Sequence, residues 1–441
     1  MELILTKNKS KVFLDEFFKI SERGSTIKQE IIGGITSFLA MAYIIFVNPA
    51  ILSTTGMDKG ALISVTIIAT TIGTLISGFW GKAPMVIGPG MGLNAFFTFT
   101  LVLGKGIPWQ DALGVVFISG VFFMILALGG IREKLANAIP KSVSISAAAG
   151  IGLFIALIGL KSMGVIVPSP ATMVTLGKFT PEMILALFGL ALMAILEMRN
   201  IKGGILISII ITTIIGAFLG FVNTPTSIMA MPPSIAPIAF KLNILGALKL
   251  SLIGPIFSFM FIDLFDSLGF LMACCREMGF ENEKGEMKEL GRMLHSDVAS
   301  TIIGAFLGTS TMTTLAESAT GIAAGARTGL AAIVTSILLI FSLFFTPLVA
   351  IVPIFAVAPA MVMVGVFMFR NVRFIDFSDI KIAATAFITM VMMPLTYSIS
   401  LGLSFGFVAY IIFHIGTGEI KKISPTLWFI GTLSFLNLAI S

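Results

Sequence analysis

Three carboxylates stand in stretches that read as membrane-buried. Asp263 and Asp266, three residues apart, lie in GPIFSFMFIDLFDSLGFLMA (254–273), an apolar run long enough to cross a bilayer, and Glu317 lies in LGTSTMTTLAESATGIAAGARTGL (307–330). A charge at the bilayer centre costs about 3 kcal/mol or more, so acids found there are functional by default. A buried carboxylic acid can also stay protonated, because desolvation disfavours its charged form. A group that takes a proton on one side and releases it on the other suits proton-coupled transport. The spacing puts Asp263 and Asp266 about 60° apart on one side of a helix, so both face a cavity, or one faces it and the other a neighbouring helix. For Asp266 a structural hydrogen bond to nearby backbone is the competing role. No cation lies at the depth of Glu317, since Arg327 would be about 15 Å further along a helix.

The remaining polar residues offer less chemistry. Glu277, Glu281, Glu283, Glu286 and Glu289 form a solvated charge run, and the two histidines, His295 and His414, sit at span ends or loops. Cys274 and Cys275 are the only cysteines and are adjacent, which gives neither metal-ligand spacing nor a disulfide framework. No nucleophile and base constellation and no Walker-type phosphate loop is present. These observations point away from an enzyme, a metal or cofactor site and an ATP-driven pump, and leave an ion gradient as the driving force.

The elements that must hold the carboxylates follow from composition. The 441 residues are 57% hydrophobic and only 11% charged, where soluble domains carry about 25% charge. The fold class is therefore an all-α polytopic membrane protein; a β-barrel would show short alternating strands instead. Apolar runs bounded by Gly, Pro and charges place spans near 31–52, 61–80, 84–103, 112–131, 143–160, 182–198 and 203–222, then 251–273, 293–308, 311–326, 329–347, 353–369, 380–395 and 397–414, about fourteen in all. Residues 1–30 read as a polar cytoplasmic tail without the apolar core of a signal peptide. Arg132, Lys134, Arg199, Lys202, Arg276, Arg292, Arg370 and Arg373 fall in connections on the side of that tail, which puts the N-terminus in the cytoplasm of a plasma or bacterial inner membrane. This loop bias accounts for the net charge of +6 without invoking nucleic acid. The run 425–440 is ambiguous between a further span and an interfacial helix.

Two spans are broken at matching places. APMVIGPGMGLNAFFTFTL (83–101) is interrupted at Gly88, Pro89, Gly90 and Gly92, and its counterpart seven spans later is interrupted by Ser, Thr and Gly around Glu317, Ser310 and Thr313 among them. Irregular backbone at membrane depth is tolerated only when buried in protein or lining a cavity, and paired breaks in two halves point to a transporter's binding site. Seven is odd, so the halves 31–222 and 251–414 are inverted repeats, joined by the Pro-rich connection 223–250 and followed by a C-terminal segment, 415–441. The alternative is that these small residues only let helices pack closely; that suffices for AAAGIGLFIALIGL (147–160).

PGMGLNAFF (89–97), FIDLFDSLG (261–269), GTSTMTTLAESATGIAAGARTGL (308–330) and FLAMAYIIFVNPAIL (38–52) closely resemble the AzgA-like guanine/hypoxanthine permeases, a branch of the nucleobase and ascorbate transporter superfamily, and the likeness covers nearly all the chain after about residue 25. The resemblance implies fourteen spans in two intertwined inverted repeats. It also implies a substrate-carrying core domain, a gate domain that mediates homodimerisation, and short strands in the third and tenth spans. Carried over by motif, the substrate ligands fall on Glu317 and Asp263, with Asn94 and Asp266 at positions important for binding or transport. Thr313 joins Asp266 as a proton-coupling or site-ordering candidate, and Gly88, Gly90, Gly92 and Ser310 supply broken-helix backbone. The expected function is import of guanine, hypoxanthine or adenine by proton symport with alternating access. A same-fold carrier of uracil, xanthine or an anion, or a channel, stands as the alternative. Guanine and hypoxanthine present a ring N–H that a carboxylate can accept and an O6 that the free N–H groups of a half-helix can donate to. Phe38, Tyr43, Phe261 and Phe265 are candidates to stack on a planar base.

Overall fold

The computed structural model describes residues 13–128, 140–222, 227–249, 252–280 and 289–440; a few side chains inside its helices, those of Phe261, Phe265 and Asp266 among them, lie outside the described residues. The first apolar run starts four residues before the predicted boundary, at Ile27, because Thr26 caps it by accepting the Gln29 N–H at 3.2 Å. The run is two helices, α1 (Ile27–Met41) and α2 (Ile44–Leu52), with Tyr43 at the junction. Asp58 caps α3 (Lys59–Phe79) in the same manner, accepting the Ala61 N–H at 2.7 Å.

The first broken segment follows as strand β1 (Ile87–Pro89), helix α4 (Met91–Ala95) and a π-helical stretch, Phe96–Val102. Then come α5 (Trp109–Leu128), α6 (Lys141–Ser162), α7 (Pro181–Met198) and α8 (Gly204–Phe218). The second half opens with α9 (Ile253–Glu277) and α10 (Leu290–Leu307), and its broken segment is β4 (Met312–Thr314) followed by α11 (Ser318–Ala323). It closes with α12 (Gly329–Ser342), α13 (Ile354–Phe369), α14 (Ile380–Leu395) and α15 (Ile399–Gly416), and α16 (Pro425–Ile440) packs on α15.

Eight helices among the described residues have the length and apolar composition to cross a membrane, and four more apolar helices are shorter. The short strands expected in the two broken segments are present. A hairpin of β2 (Ile166–Ser169) and β3 (Met173–Leu176) was not expected; β-branched residues supply it in the connection between α6 and α7.

The helices pack in two groups. In one, α12 lies on α3 and α1, and α10 on α5 and α3, with both strands of the broken segments among them. In the other, α6 lies on α13 and α14, and α7 on α8 and α13. Close crossings explain the small residues of 147–160: a Cβ on Gly152 would meet the Gly365 carbonyl oxygen at 2.7 Å, and one on Gly150 would meet Met393 Sδ at 2.7 Å. Those glycines serve packing, as read from the sequence.

Candidate functional site

The two breaks, more than 200 residues apart in sequence, pair with each other. β1 and β4 are antiparallel, with Ile87 opposite Thr314, Gly88 opposite Thr313 and Pro89 opposite Met312. Flanking bonds extend the pairing: Leu315 N–H donates to the Val86 carbonyl at 2.9 Å and Gly90 N–H to the Thr311 carbonyl at 3.1 Å. Side chains satisfy the outer edges, since the Val86 N–H donates to Ser318 Oγ at 2.9 Å and the Thr301 hydroxyl to the Met312 carbonyl at 2.6 Å. The strand backbone of the two breaks is thus paired inside protein, as membrane depth requires. Glycine leaves room for the neighbouring side chains: a Cβ on Gly90 would meet Thr313 Cγ2 at 2.7 Å and one on Gly88 would meet Leu315 Cδ1 at 2.8 Å, so either side chain would have to shift.

A cavity of about 440 Å³ opens beside this pair, between the two helix groups. Gly90, Gly92, Thr313, Glu317 and Tyr43 border it on one side, and Ser144 and Ile151 of α6 with Val364 and Met368 of α13 on the other. Glu317 stands just before α11, half-buried, and its Oε1 accepts the hydroxyl of Tyr43 at 2.5 Å. The break between α1 and α2 delivers that hydroxyl, and Tyr43 itself is only 2% exposed. Tyr43 therefore acts on the carboxylate, a role the sequence reading did not give it. Across the wall, the first N–H groups of α4 have no partner within their own helix, and Gly90, Met91 and Gly92 border the cavity where those groups begin.

Asp263 is buried and does not border the cavity. Its Oδ1 lies 3.1 Å from Ser267 Oγ, which donates to Asp297 Oδ2 at 2.6 Å and lies 2.8 Å from Thr313 Oγ1. Asp297 Oδ1 accepts both the N–H and the hydroxyl of Thr314, at 2.7 and 2.9 Å. Asp263 and Asp297 therefore reach the cavity wall through Ser267 and Thr313. Asp266 lies on the same helix as Asp263, its side chain outside the described residues. Asp297 escaped the sequence reading although it falls within the predicted span 293–308; the signal that picked out Asp263, an acid inside an apolar run, was available there too.

Asn94 is fully buried behind the wall. Its amide is oriented by a chain of bonds whose polarity is fixed at the far end: the Thr66 hydroxyl donates to the Leu62 carbonyl at 2.6 Å, so Thr66 Oγ1 accepts from Asn48 Nδ2 at 2.7 Å, and Asn48 Oδ1 accepts from Asn94 Nδ2 at 2.6 Å. Asn48 also points Nδ2 towards Thr309 Oγ1 at 3.4 Å, next to the buried Ser310. Asn48, an uncharged residue of the FLAMAYIIFVNPAIL motif to which the sequence reading assigned no separate task, ties the α2 stretch to both breaks. No group of three or more His, Cys, Asp or Glu among the described residues is arranged to hold a metal ion.

The arrangement can present a carboxylate acceptor and backbone donors to one planar, uncharged solute. The cavity falls within the roughly 300–1,000 Å³ of small-molecule sites.

Residues 28–405 match a family model described as a permease family, Xan_ur_permease. The chain is 48% identical over 412 residues to a putative permease of Methanocaldococcus jannaschii, covering 93% of this chain and 94% of the relative. It is 41% identical to the guanine/hypoxanthine permease PbuG of Bacillus subtilis (93% and 96% covered) and 38% identical to the adenine permease AdeP of Escherichia coli (98% and 97%). Among solved structures it is similar to the transmembrane domain of a cyanobacterium bicarbonate transporter, BicA, with a TM-score of 0.64 at 16% identity over 86% of this chain and 97% of that one. At that identity the likeness concerns the fold.

Proposed function

The chain belongs to this permease family, and from that premise we propose that it imports purine nucleobases across the cell membrane by proton symport with alternating access. The relatives named as guanine/hypoxanthine and adenine permeases support the substrate class. The observation that carries the site assignment is the carboxylate of Glu317 on the cavity wall, with Oε1 engaged by Tyr43. Its other oxygen accepts the ring N–H of hypoxanthine or guanine, a charge-assisted bond. The N–H groups at the start of α4 serve O6, favoured by the positive end of the helix dipole. Adenine presents an acceptor in place of that ring N–H, so it pairs with the protonated acid.

In this reading Asp263, Asp266 and Thr313 carry or relay the coupling proton, the network through Ser267 supporting the link of Asp263 and Thr313 to the cavity. Asn94 and the backbone of Gly88, Gly90, Gly92 and Ser310 keep the breaks in register. The group holding the breaks is the moving core and the other the gate, since the cavity lies between them. Counting α1 with α2, and each broken segment, as one and leaving α16 out as a helix packed on α15, we read fourteen membrane segments. The N-terminus is cytoplasmic, and the gate group pairs in a homodimer.

Uptake of radiolabelled hypoxanthine in purine-uptake-deficient cells tests the reading, with guanine, adenine, xanthine and uracil as competitors and a protonophore in parallel. Saturable uptake blocked by guanine and by the protonophore supports it. Glu317→Gln should abolish uptake while the protein still reaches the membrane; normal uptake by that variant overturns the site.

A further inference from the structure

The half-helix α11 begins directly after Glu317 and is only six residues long, so whatever fixes its far end also fixes the carboxylate. That far end is closed by Arg327. Its guanidinium donates to the carbonyls of Ile322 and Ala326, at 2.6 and 2.7 Å, covering groups that a helix end leaves open. Gly325, at φ +106°, turns the chain there, and its N–H donates to the Ile322 carbonyl at 2.9 Å.

Arg327 is in turn held from α1. Glu30, in the first turn of α1 and 0% exposed, accepts the backbone N–H of Arg327 at 2.8 Å and that of Thr328 at 3.3 Å. Between the two ends the helices touch directly: a Cβ on Gly33 would meet the Gly321 carbonyl oxygen at 3.0 Å, and one on Gly321 would meet the Gly33 carbonyl oxygen at 2.7 Å. Tyr43 completes the grip by donating to Glu317 itself. The first segment thus holds α11 at its start, middle and end. Nothing in the sequence reading used Glu30, which fell in the tail, or gave Arg327 a task beyond loop charge.

We propose that Arg327 is a positioning residue for Glu317, acting through α11 and anchored by Glu30, so that a contact at the far end of the half-helix sets substrate affinity. The inference rests on Glu317 being the substrate acceptor. A small rotation of so short a helix swings the carboxylate away from the solute, and a misplacement near 1 Å costs on the order of a hundredfold where geometry matters.

The test compares hypoxanthine uptake kinetics of wild type, Arg327→Gln, Arg327→Lys, Glu30→Gln and, as a control on the exposed surface, Lys19→Gln, each normalised to protein at the membrane. Arg327→Gln should raise KM about tenfold or more with a smaller change in maximal rate. Arg327→Lys, which retains the charge but not the fork of donors, should recover part of the affinity, and Glu30→Gln, which retains one acceptor oxygen, should sit between. An unchanged KM in Arg327→Gln overturns the proposal, as does a loss confined to maximal rate. If Arg327→Gln does not reach the membrane, Glu30→Gln and Arg327→Lys carry the same KM criterion. Glu317→Gln, run alongside, separates the two layers: if it transports normally, the substrate-site assignment itself has failed, whereas its inactivity with normal KM in the Arg327 and Glu30 variants sinks the positioning role alone.

Discussion

Replacing Tyr43 by Phe removes a single hydroxyl and leaves a ring that is 2% exposed in the same packing. The lost interaction is the O–H donated to Glu317 Oε1 at 2.5 Å. Hydrogen bonds to charged groups contribute about 1.5–3 kcal/mol, and each 1.4 kcal/mol is about tenfold in affinity. If the bond holds the carboxylate where the substrate meets it, the KM for hypoxanthine should rise by about ten- to a hundredfold. Uptake of radiolabelled hypoxanthine over a range of concentrations, with membrane levels followed by an epitope tag, reads this directly. Combining Tyr43→Phe with Glu317→Asp gives a double-mutant cycle, and because the two side chains touch, their effects should depart from additivity. A Tyr43→Phe transporter with wild-type KM, or effects of the two changes that simply add, would refute the claim that the hydroxyl works through the carboxylate.

Other changes probe the supports behind the cavity. Gly90→Val should sharply reduce uptake, because even a Cβ there meets Thr313 Cγ2 at 2.7 Å and the larger side chain must displace Thr313 at the cavity wall; wild-type uptake would show that the placement of Thr313 does not matter. Asp297→Ala leaves the Thr314 N–H and hydroxyl without their buried acceptor, a cost of about 1–3 kcal/mol per group, so the melting midpoint in detergent should fall, and less so for Asp297→Asn. Glu419, in the connection before α16, has its carboxyl drawn from 4.5 down to about 2 by hydrogen bonds from Lys381 and Lys422. A depressed carboxyl adds stability above its ordinary range and loses it as pH falls towards the lowered value. Glu419→Gln should therefore lower the melting midpoint in detergent at about pH 7, with the difference from wild type shrinking as the pH falls below about 4.5; a difference that stays equal at every pH would refute the linkage.

Composition and the apolar runs were enough to read a polytopic helical membrane protein, because burial in lipid demands long apolar helices wherever they finally pack. The breaks at Gly88–Gly92 and around Ser310 were legible for the same reason: only an interior wall or a cavity tolerates them. Glu317 and Asp263 stood out as acids in apolar sequence. Glu30 did not, because it borders the polar tail and is buried for reasons visible only in its partners, whereas Asp297, an acid within the span 293–308, carried the same signal as Asp263 and was passed over. The sequence could not show that Tyr43 meets Glu317, that Asn48 orients Asn94, or that Asp263 is linked to the cavity wall through Ser267 and Thr313. Such contacts join residues up to 274 positions apart. Local propensity and hydropathy carry no information about distant partners. The tertiary structure decided which buried polar group answers which, since each must find a partner once water is gone.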